Sequence, residues 1–425
     1  MEIVLEAATM SILAESEDRL FTARRIWFFG SVLVIFNVML LAAVAMAGGW
    51  FIDASGRPTS IDFSFFWVSG RFAVAPHPAE AYDYSAFSAG QTALYGSRPG
   101  GFPPYHFIYP PIFMLFTYSL GLLPYFAAFA AWVCGTFLLY EIAVCAIIPR
   151  AATVIAAAAP IAVLHNAQAG HNGFLTAGLL GLSLVMMERR PVVAGVLLGL
   201  LTYKPQFGLL LPFALIAGRQ WRVIIAAAMT VLLLAILAAI LFGPDVWRGY
   251  ITTVRGLDGR LSPDPPQVEL LHQSVFGILH WFGAGFATAW TAHVIAAALI
   301  AAIVCLLWSR PTRFALKASA LCVGVVSITP YVLGYDLCIL SIAVAFLVQD
   351  GLVHGFRTGE RSVLLICFVI SALAFHWRLP AGPFVYVAVL AIVARRVSLR
   401  GAVGECRAAL QATTPTTAVG RSQSR

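Results

Sequence analysis

The chain has 425 residues, 60% of them hydrophobic and 11% charged, against roughly 25% charged in a soluble domain, which excludes a soluble enzyme. Its net charge of +8 lies in short connections (Arg189-Arg190, Arg219 and Arg222, Arg310, Arg313 and Lys317, Arg357 and Arg361, Arg395, Arg396 and Arg400); this is the pattern of cytoplasmic loops under the positive-inside rule, not of nucleic-acid binding. Long apolar runs without β-barrel alternation make the chain an all-α polytopic membrane protein, because a helix satisfies its own backbone in lipid.

In chain order, residues 1–25 are acidic and then basic and read as a short cytoplasmic segment. The apolar run 26–47 is too long for the core of a signal peptide, so it reads as an uncleaved first helix. About thirteen apolar segments are present, near 26–48, 107–123, 126–148, 151–165, 173–187, 191–203, 205–217, 222–242, 288–308, 314–330, 333–349, 361–376 and 380–397. They form one integral domain, 26–400. Residues 401–425 are polar, basic and rich in Thr and Ser, and read as a disordered cytoplasmic tail. Two outer loops are long. Loop 49–106 holds amphipathic stretches at 65–74 and 84–94 that read as interfacial helices, and loop 243–271 is rich in Pro, Gly and charge.

With Arg395-Arg396 on the cytoplasmic side, His376, 331–336, 243–272, Lys204 and 170–173 all fall on the opposite face. Arg24-Arg25 places the N-terminus inside, so thirteen crossings would leave the C-terminus outside. One segment therefore does not cross. The Ala-rich stretch 151–165, broken by Pro160, is the candidate for a re-entrant piece, and Asp62 then joins the outer face. No internal repeat is visible, which weighs against an inverted-repeat transporter.

Several polar residues interrupt this apolar background. Asp62, in Ile61-Asp62-Phe63-Ser64-Phe65-Phe66-Trp67, stands among aromatics at a membrane boundary. It reads either as a general base, since a sugar hydroxyl must lose its proton as it attacks, or as a solvated loop charge. Arg71 reads as a phosphate contact or as the anchor of its helix. Tyr109, in Phe107-Ile108-Tyr109-Pro110-Pro111, belongs to a rigid helix start. His171 and Asn172, in Gln168-Ala169-Gly170-His171-Asn172-Gly173, either cradle an anion at a helix N-terminus or cap a Gly-rich turn. Lys204, before Pro205, needs a partner in the membrane, and a lipid phosphate is a natural one; a snorkelling Lys at a short turn is the other reading. His272-Gln273-Ser274 reads as an acceptor-side site or a capping turn. Tyr331, Tyr335 and Asp336 mark another outer break, where tyrosines suit sugar stacking or phosphate bonding or form an aromatic belt.

Six cysteines lie in apolar segments and Cys406 in the tail. None shows metal-ligand spacing, and they read as buried small hydrophobes. There is no P-loop, HExxH or GxSxG, and no Asp-x-Asp pair stands in the first loop, so neither a metal nor a cofactor is expected.

Taken together, Asp62-Phe63-x-x-Phe66-Trp67-x-x-Gly70-Arg71, Ala81-Tyr82-Asp83, Tyr109-Pro110-Pro111, Gly170-His171-Asn172-Gly173, Tyr203-Lys204-Pro205, Thr329-Pro330-Tyr331 and Tyr335-Asp336 resemble glycosyltransferase family 87, in order from about residue 60 to 350. Relatives of that family include polyprenyl-phosphate-mannose-dependent mannosyltransferases. The resemblance implies a GT-C fold, a polyprenyl-phosphate-sugar donor, and a lipid or glycan acceptor on the periplasmic face of a bacterial inner membrane. It also implies Asp62 as the base. Lys204, His171, Asn172, Tyr331, Tyr335, Asp336 and Arg71 would then serve the donor, and Tyr109, His272 and Gln273 would lie towards the acceptor or its loops. The family's Gly-Gln-Asn-Gly reads Gly170-His171-Asn172-Gly173 here, and its Asn-Gln-Ser reads His272-Gln273-Ser274. Both changes bear on donor and acceptor identity rather than on reaction class. A lipid-linked oligosaccharide flippase or other transporter, a polysaccharide ligase and a non-enzymatic scaffold are the rival readings. The transporter predicts ionisable groups spread through the membrane depth, and the ligase predicts dependence on outer-loop Arg and His.

Overall fold

Every long apolar stretch is helical in the computed structural model, which describes residues 22–48, 50–53, 56–59, 61–96, 106–256, 272–376 and 379–413. The first helix, α1 (Ala23–Met46), starts where the Thr22 hydroxyl accepts the Arg25 N–H. The outer loop then forms α2 (Asp62–Ala73), a 3-10 turn at Pro78–Tyr82 and α3 (Tyr84–Tyr95). Next come α4 (Pro111–Gly121) and α5 (Tyr125–Ile147). The Ala-rich stretch is two short helices, α6 (Ala151–Ala158) and α7 (Ile161–Ala169), bent by 65° at Pro160, where the proline removes a backbone donor.

Four helices follow, α8 (Gly173–Met186), α9 (Pro191–Leu200), α10 (Leu211–Ala217) and α11 (Trp221–Phe242), and then α12 (Asp245–Arg255) and α13 (Val275–Trp281). The chain continues through α14 (Phe286–Ser309), α15 (Phe314–Ser327), α16 (Cys338–His354), α17 (Glu360–His376) and α18 (Gly382–Thr413). Among the described residues, five runs are long and apolar enough to cross a membrane alone: α1, α5, α11, α14 and Gly334–His354; the bent pair α6–α7 passes the same test only when taken together, as one broken span or as a re-entrant loop. The protein is an all-α polytopic integral membrane protein.

Three local expectations need revision. The stretches at 65–74 and 84–94 are helices, but α2 is a packed element rather than a surface-seated one, because Phe63, Phe66, Val68 and Ala73 are all buried. The loop 243–271 contains α12, whose buried Val246 and half-buried Tyr250 lie one turn apart; α12 lies on the Pro78–Tyr82 turn, with Thr253 Oγ1 donating to Tyr82 O at 3.2 Å. Residues 257–271 fall outside the described residues. Helix α18 runs past residue 400 to Thr413, because 401–412 are rich in the helix formers Ala, Glu, Arg, Leu and Gln. The Thr-rich part of the tail starts only at Thr413, and 414–425 fall outside the described residues.

Two charge clusters mark opposite ends of α15 and α16. At one end, Arg396 of α18 donates to Asp350 and Glu360, and Arg313 lies 3.2 Å from Asp350. At the other end lie Tyr331 and Asp336, in the break between the same two helices. Helix α2 seats on α4 through two glycines: a methyl on Gly121 would stand 2.1 Å from Gly70 O, and one on Gly70 would stand 2.3 Å from Thr117 O. Gly121→Ala is therefore expected to push α2 off α4 and cost about 1–3 kcal/mol of stability. A thermal melt of the detergent-purified protein checks this, and an unchanged midpoint would refute the tight seating.

Candidate active site

The site begins with a proline. Pro205 keeps Lys204 out of the helical region (φ −124°, ψ 76°), and two 3-10 turns, Leu201–Tyr203 and Pro205–Gly208, flank it. The break turns the Lys204 side chain inward, and the residue is 4% exposed. Its Nζ donates to Asp336 Oδ1 at 2.6 Å and to Asn172 Oδ1 at 2.9 Å. The ammonium also stands 5.0 Å from the Phe207 ring centre and 5.3 Å from that of Tyr335. The membrane lysine thus has an internal counter-ion from a segment 132 residues away. Two of its three N–H groups are taken by these partners.

Asn172 is the hub. Its Nδ2 donates to the Tyr109 hydroxyl at 2.9 Å, and its backbone carbonyl accepts the Thr176 hydroxyl at 2.9 Å and the Tyr203 hydroxyl at 3.3 Å. Asn166 Oδ1 accepts the Gly173 N–H at 2.8 Å, which closes the 170–173 turn. Gly173 must be glycine, since a Cβ there would lie 2.2 Å from Tyr335 O. That contact presses the N-terminus of α8 against the 3-10 turn Gly334–Leu337, which carries Tyr335 and Asp336. The Asp336 carboxylate also accepts the Leu333 N–H through Oδ2 at 3.2 Å. The His171 ring stacks on Tyr335 at 3.6 Å and 19°, and His165 of α7 stacks on the same ring at 5.9 Å and 12°.

Asp62 lies in the first turn of α2 and is exposed. Phe66, one turn along α2, touches Tyr109 at 5.8 Å and His171 at 5.2 Å between ring centres. Lys204, Asn172, Asp336, Tyr335, His171 and Tyr109 therefore form one contiguous cluster, with Asp62 at its solvent side.

The other candidate residues lie elsewhere. Arg71 donates to Gly121 O at 3.0 Å and sits 5.8 Å from the Trp67 ring, at the C-terminal end of α2. His272 packs edge-on against Tyr331 at 5.3 Å. Gln273 ties three segments: its N–H donates to Val332 O at 2.6 Å, its Oε1 accepts Gly382 N–H at 3.1 Å, and its carbonyl accepts the Tyr386 hydroxyl at 2.7 Å. Ser274 caps α13 by accepting Gly277 N–H at 3.1 Å. Asn166, His165 and Thr176 are not singled out by the sequence, and Tyr203 enters there only as part of the Tyr203-Lys204-Pro205 motif. The signal for the first two is polarity within an apolar run; Thr176 and Tyr203 meet only in three dimensions, their hydroxyls 2.6 Å apart.

The arrangement offers an accessible carboxylate beside a buried polar core built from broken helices, irregular backbone of the kind a membrane protein tolerates where it is buried in protein. No curated protein and no solved structure matches the chain. Residues 107–333, just over half of it, match the family model of glycosyltransferase family 87, a stretch that includes Tyr109, Asn172 and Lys204. The chain belongs to glycosyltransferase family 87 and is a membrane glycosyltransferase.

Proposed function

We propose that the protein moves a hexose, mannose in the first instance, from a polyprenyl-phosphate-sugar to a lipid or glycan acceptor, with inversion, on the periplasmic face of a bacterial inner membrane. Residues 26–400 form the GT-C-type domain in this reading. The observation that carries it is the exposed Asp62 carboxylate one helical turn from Phe66, whose ring packs on Tyr109, the tyrosine hydrogen-bonded through Asn172 to Lys204. Asp62 takes the proton of the acceptor hydroxyl as that oxygen attacks the sugar C1. The C1–O bond to phosphate breaks, and its electron pair leaves with the polyprenyl phosphate. A phosphate leaves without a partner acid, so one base is sufficient.

Lys204 offers its third N–H to a phosphate oxygen, and fixed donors of this kind favour the charge that develops on the leaving group. Asn172 and Asp336 hold the ammonium in place, and His171 and Tyr335 wall the same core. The sidedness is supported by the gathering of Asp62, Lys204 and Asp336 at the opposite end of α15 and α16 from Arg313 and Arg396.

The test is transfer in membranes supplied with labelled polyprenyl-phosphate-mannose. Label should appear in a lipid or glycan product with inverted anomeric configuration. Transfer from another polyprenyl-phosphate hexose alone would change the sugar and keep the donor class. Transfer from a nucleotide sugar, with none from any polyprenyl-phosphate sugar, would reject the reading.

A further inference from the structure

The outer loop holds an aromatic pair that the catalytic core does not use. The rings of Tyr84 and His106 stack at 4.4 Å and 28°. One face of Tyr84 is covered by His106, and the residue remains 43% exposed, so the accessible part of the ring lies away from His106. Two exposed carboxylates precede it in the chain, Asp83 directly before it and Glu80 four residues before it. Asp83 uses Oδ1 to accept the Ala86 N–H at 2.8 Å and cap α3, and among the described residues its second oxygen makes no hydrogen bond. Glu80 makes no side-chain hydrogen bond or ion pair among the described residues.

This pair continues the wall that leads to Asp62. His106 adjoins Phe107, whose ring lies 5.5 Å from Phe65 and 5.2 Å from Tyr82. Phe65 is three residues from Asp62 on the same face of α2. The Tyr82 hydroxyl donates to Tyr109 O at 2.9 Å. A ligand on Tyr84 would therefore lie along the approach to the carboxylate.

The chemistry of the patch selects its ligand. An open tyrosine face favours a flat apolar surface such as the C–H side of a sugar ring. Carboxylates accept hydrogen bonds from hydroxyls and orient the ring, while repelling phosphate head groups. We infer that Tyr84, backed by His106 and preceded in the chain by the exposed Asp83 and Glu80, is a subsite for a neutral saccharide unit of the acceptor. The acceptor is then a glycan or glycolipid whose sugar chain extends outward from Asp62, rather than a bare lipid. This inference rests on the glycosyl-transfer reading above.

The test uses the full-length protein in detergent and free hexose disaccharides (mannobiose, maltose and cellobiose) as probes, read by saturation-transfer NMR. Wild type should saturate the ring C–H protons of at least one disaccharide. Tyr84→Phe should retain that signal, and Tyr84→Ala should weaken binding by about tenfold with an unchanged melting temperature. In the transfer assay, Tyr84→Ala should raise the acceptor KM and leave kcat within about twofold. No disaccharide bound by wild type, or binding undiminished in Tyr84→Ala, would overturn the subsite. Because binding is read without donor, failure of the subsite is distinguishable from failure of the transfer reading.

Discussion

Asp62→Asn is expected to lower transfer by about 10²–10⁴-fold, the range a positioned general base contributes, with donor KM nearly unchanged. The substitution keeps the size of the side chain and removes its charge and basicity. Asp62 is exposed in the first turn of α2, where the loss of a negative charge costs about 0.3–1 kcal/mol through the helix dipole, too little to unfold the protein. The hydrophobic anchors of α2, Phe63 and Phe66, are untouched. Loss of kcat at equal protein level and equal melting temperature is therefore the signature of the base. Equal transfer by both proteins would remove Asp62 from the chemistry, and His171 or Asp336 would become the group to test.

The helices were legible because lipid imposes long apolar runs, and the segment near 126–148 needs only its composition to be found as α5. The bend at Pro160 was legible for the same reason, since a proline in an Ala-rich stretch has one local effect. Asp62 and Lys204 stood out because charge is costly at a membrane. Pairing was not legible. Lys204 pointed to a lipid phosphate as its partner, and the structure supplies Asp336 from across the fold, a contact no local pattern encodes. The roles of Asn172 and Gln273 were hidden similarly: both gain their partners from segments far along the chain. Helix α12 escaped notice because it is short and lies in a loop otherwise rich in Pro, Gly and charge, although Val246, Trp247, Tyr250, Ile251 and Val254 recur at helical spacing; its packing partner is Tyr82 in another loop.

The Lys204–Asp336 pair allows stability and chemistry to be separated. Both side chains are almost wholly buried, 6% and 3% exposed. Lys204→Met leaves the Asp336 carboxylate without its counter-ion, and Asp336→Asn leaves the ammonium without one. Each single change is expected to cost about 3–5 kcal/mol, mostly the penalty of a buried uncompensated charge. The double change removes both charges, and in Asp336→Asn the side-chain carbonyl can still accept the Leu333 N–H. Its stability should recover to within about 1–3 kcal/mol of wild type, since replacing a whole buried pair is often neutral and the remaining loss is that of Asn172 Oδ1, which no longer has its Lys204 donor. Transfer should stay lost in the double variant, because the donor phosphate has no cation to meet. Thermal unfolding of the four proteins, followed by labelled-sugar transfer with those that fold, reads both quantities. Recovery of transfer together with stability would make the pair a structural tie between the Lys204 break and the Asp336 turn and would remove Lys204 from donor binding. Recovery of stability alone would leave Lys204 as a residue that the fold holds ready, with Asp336 as its counter-ion while the donor is absent.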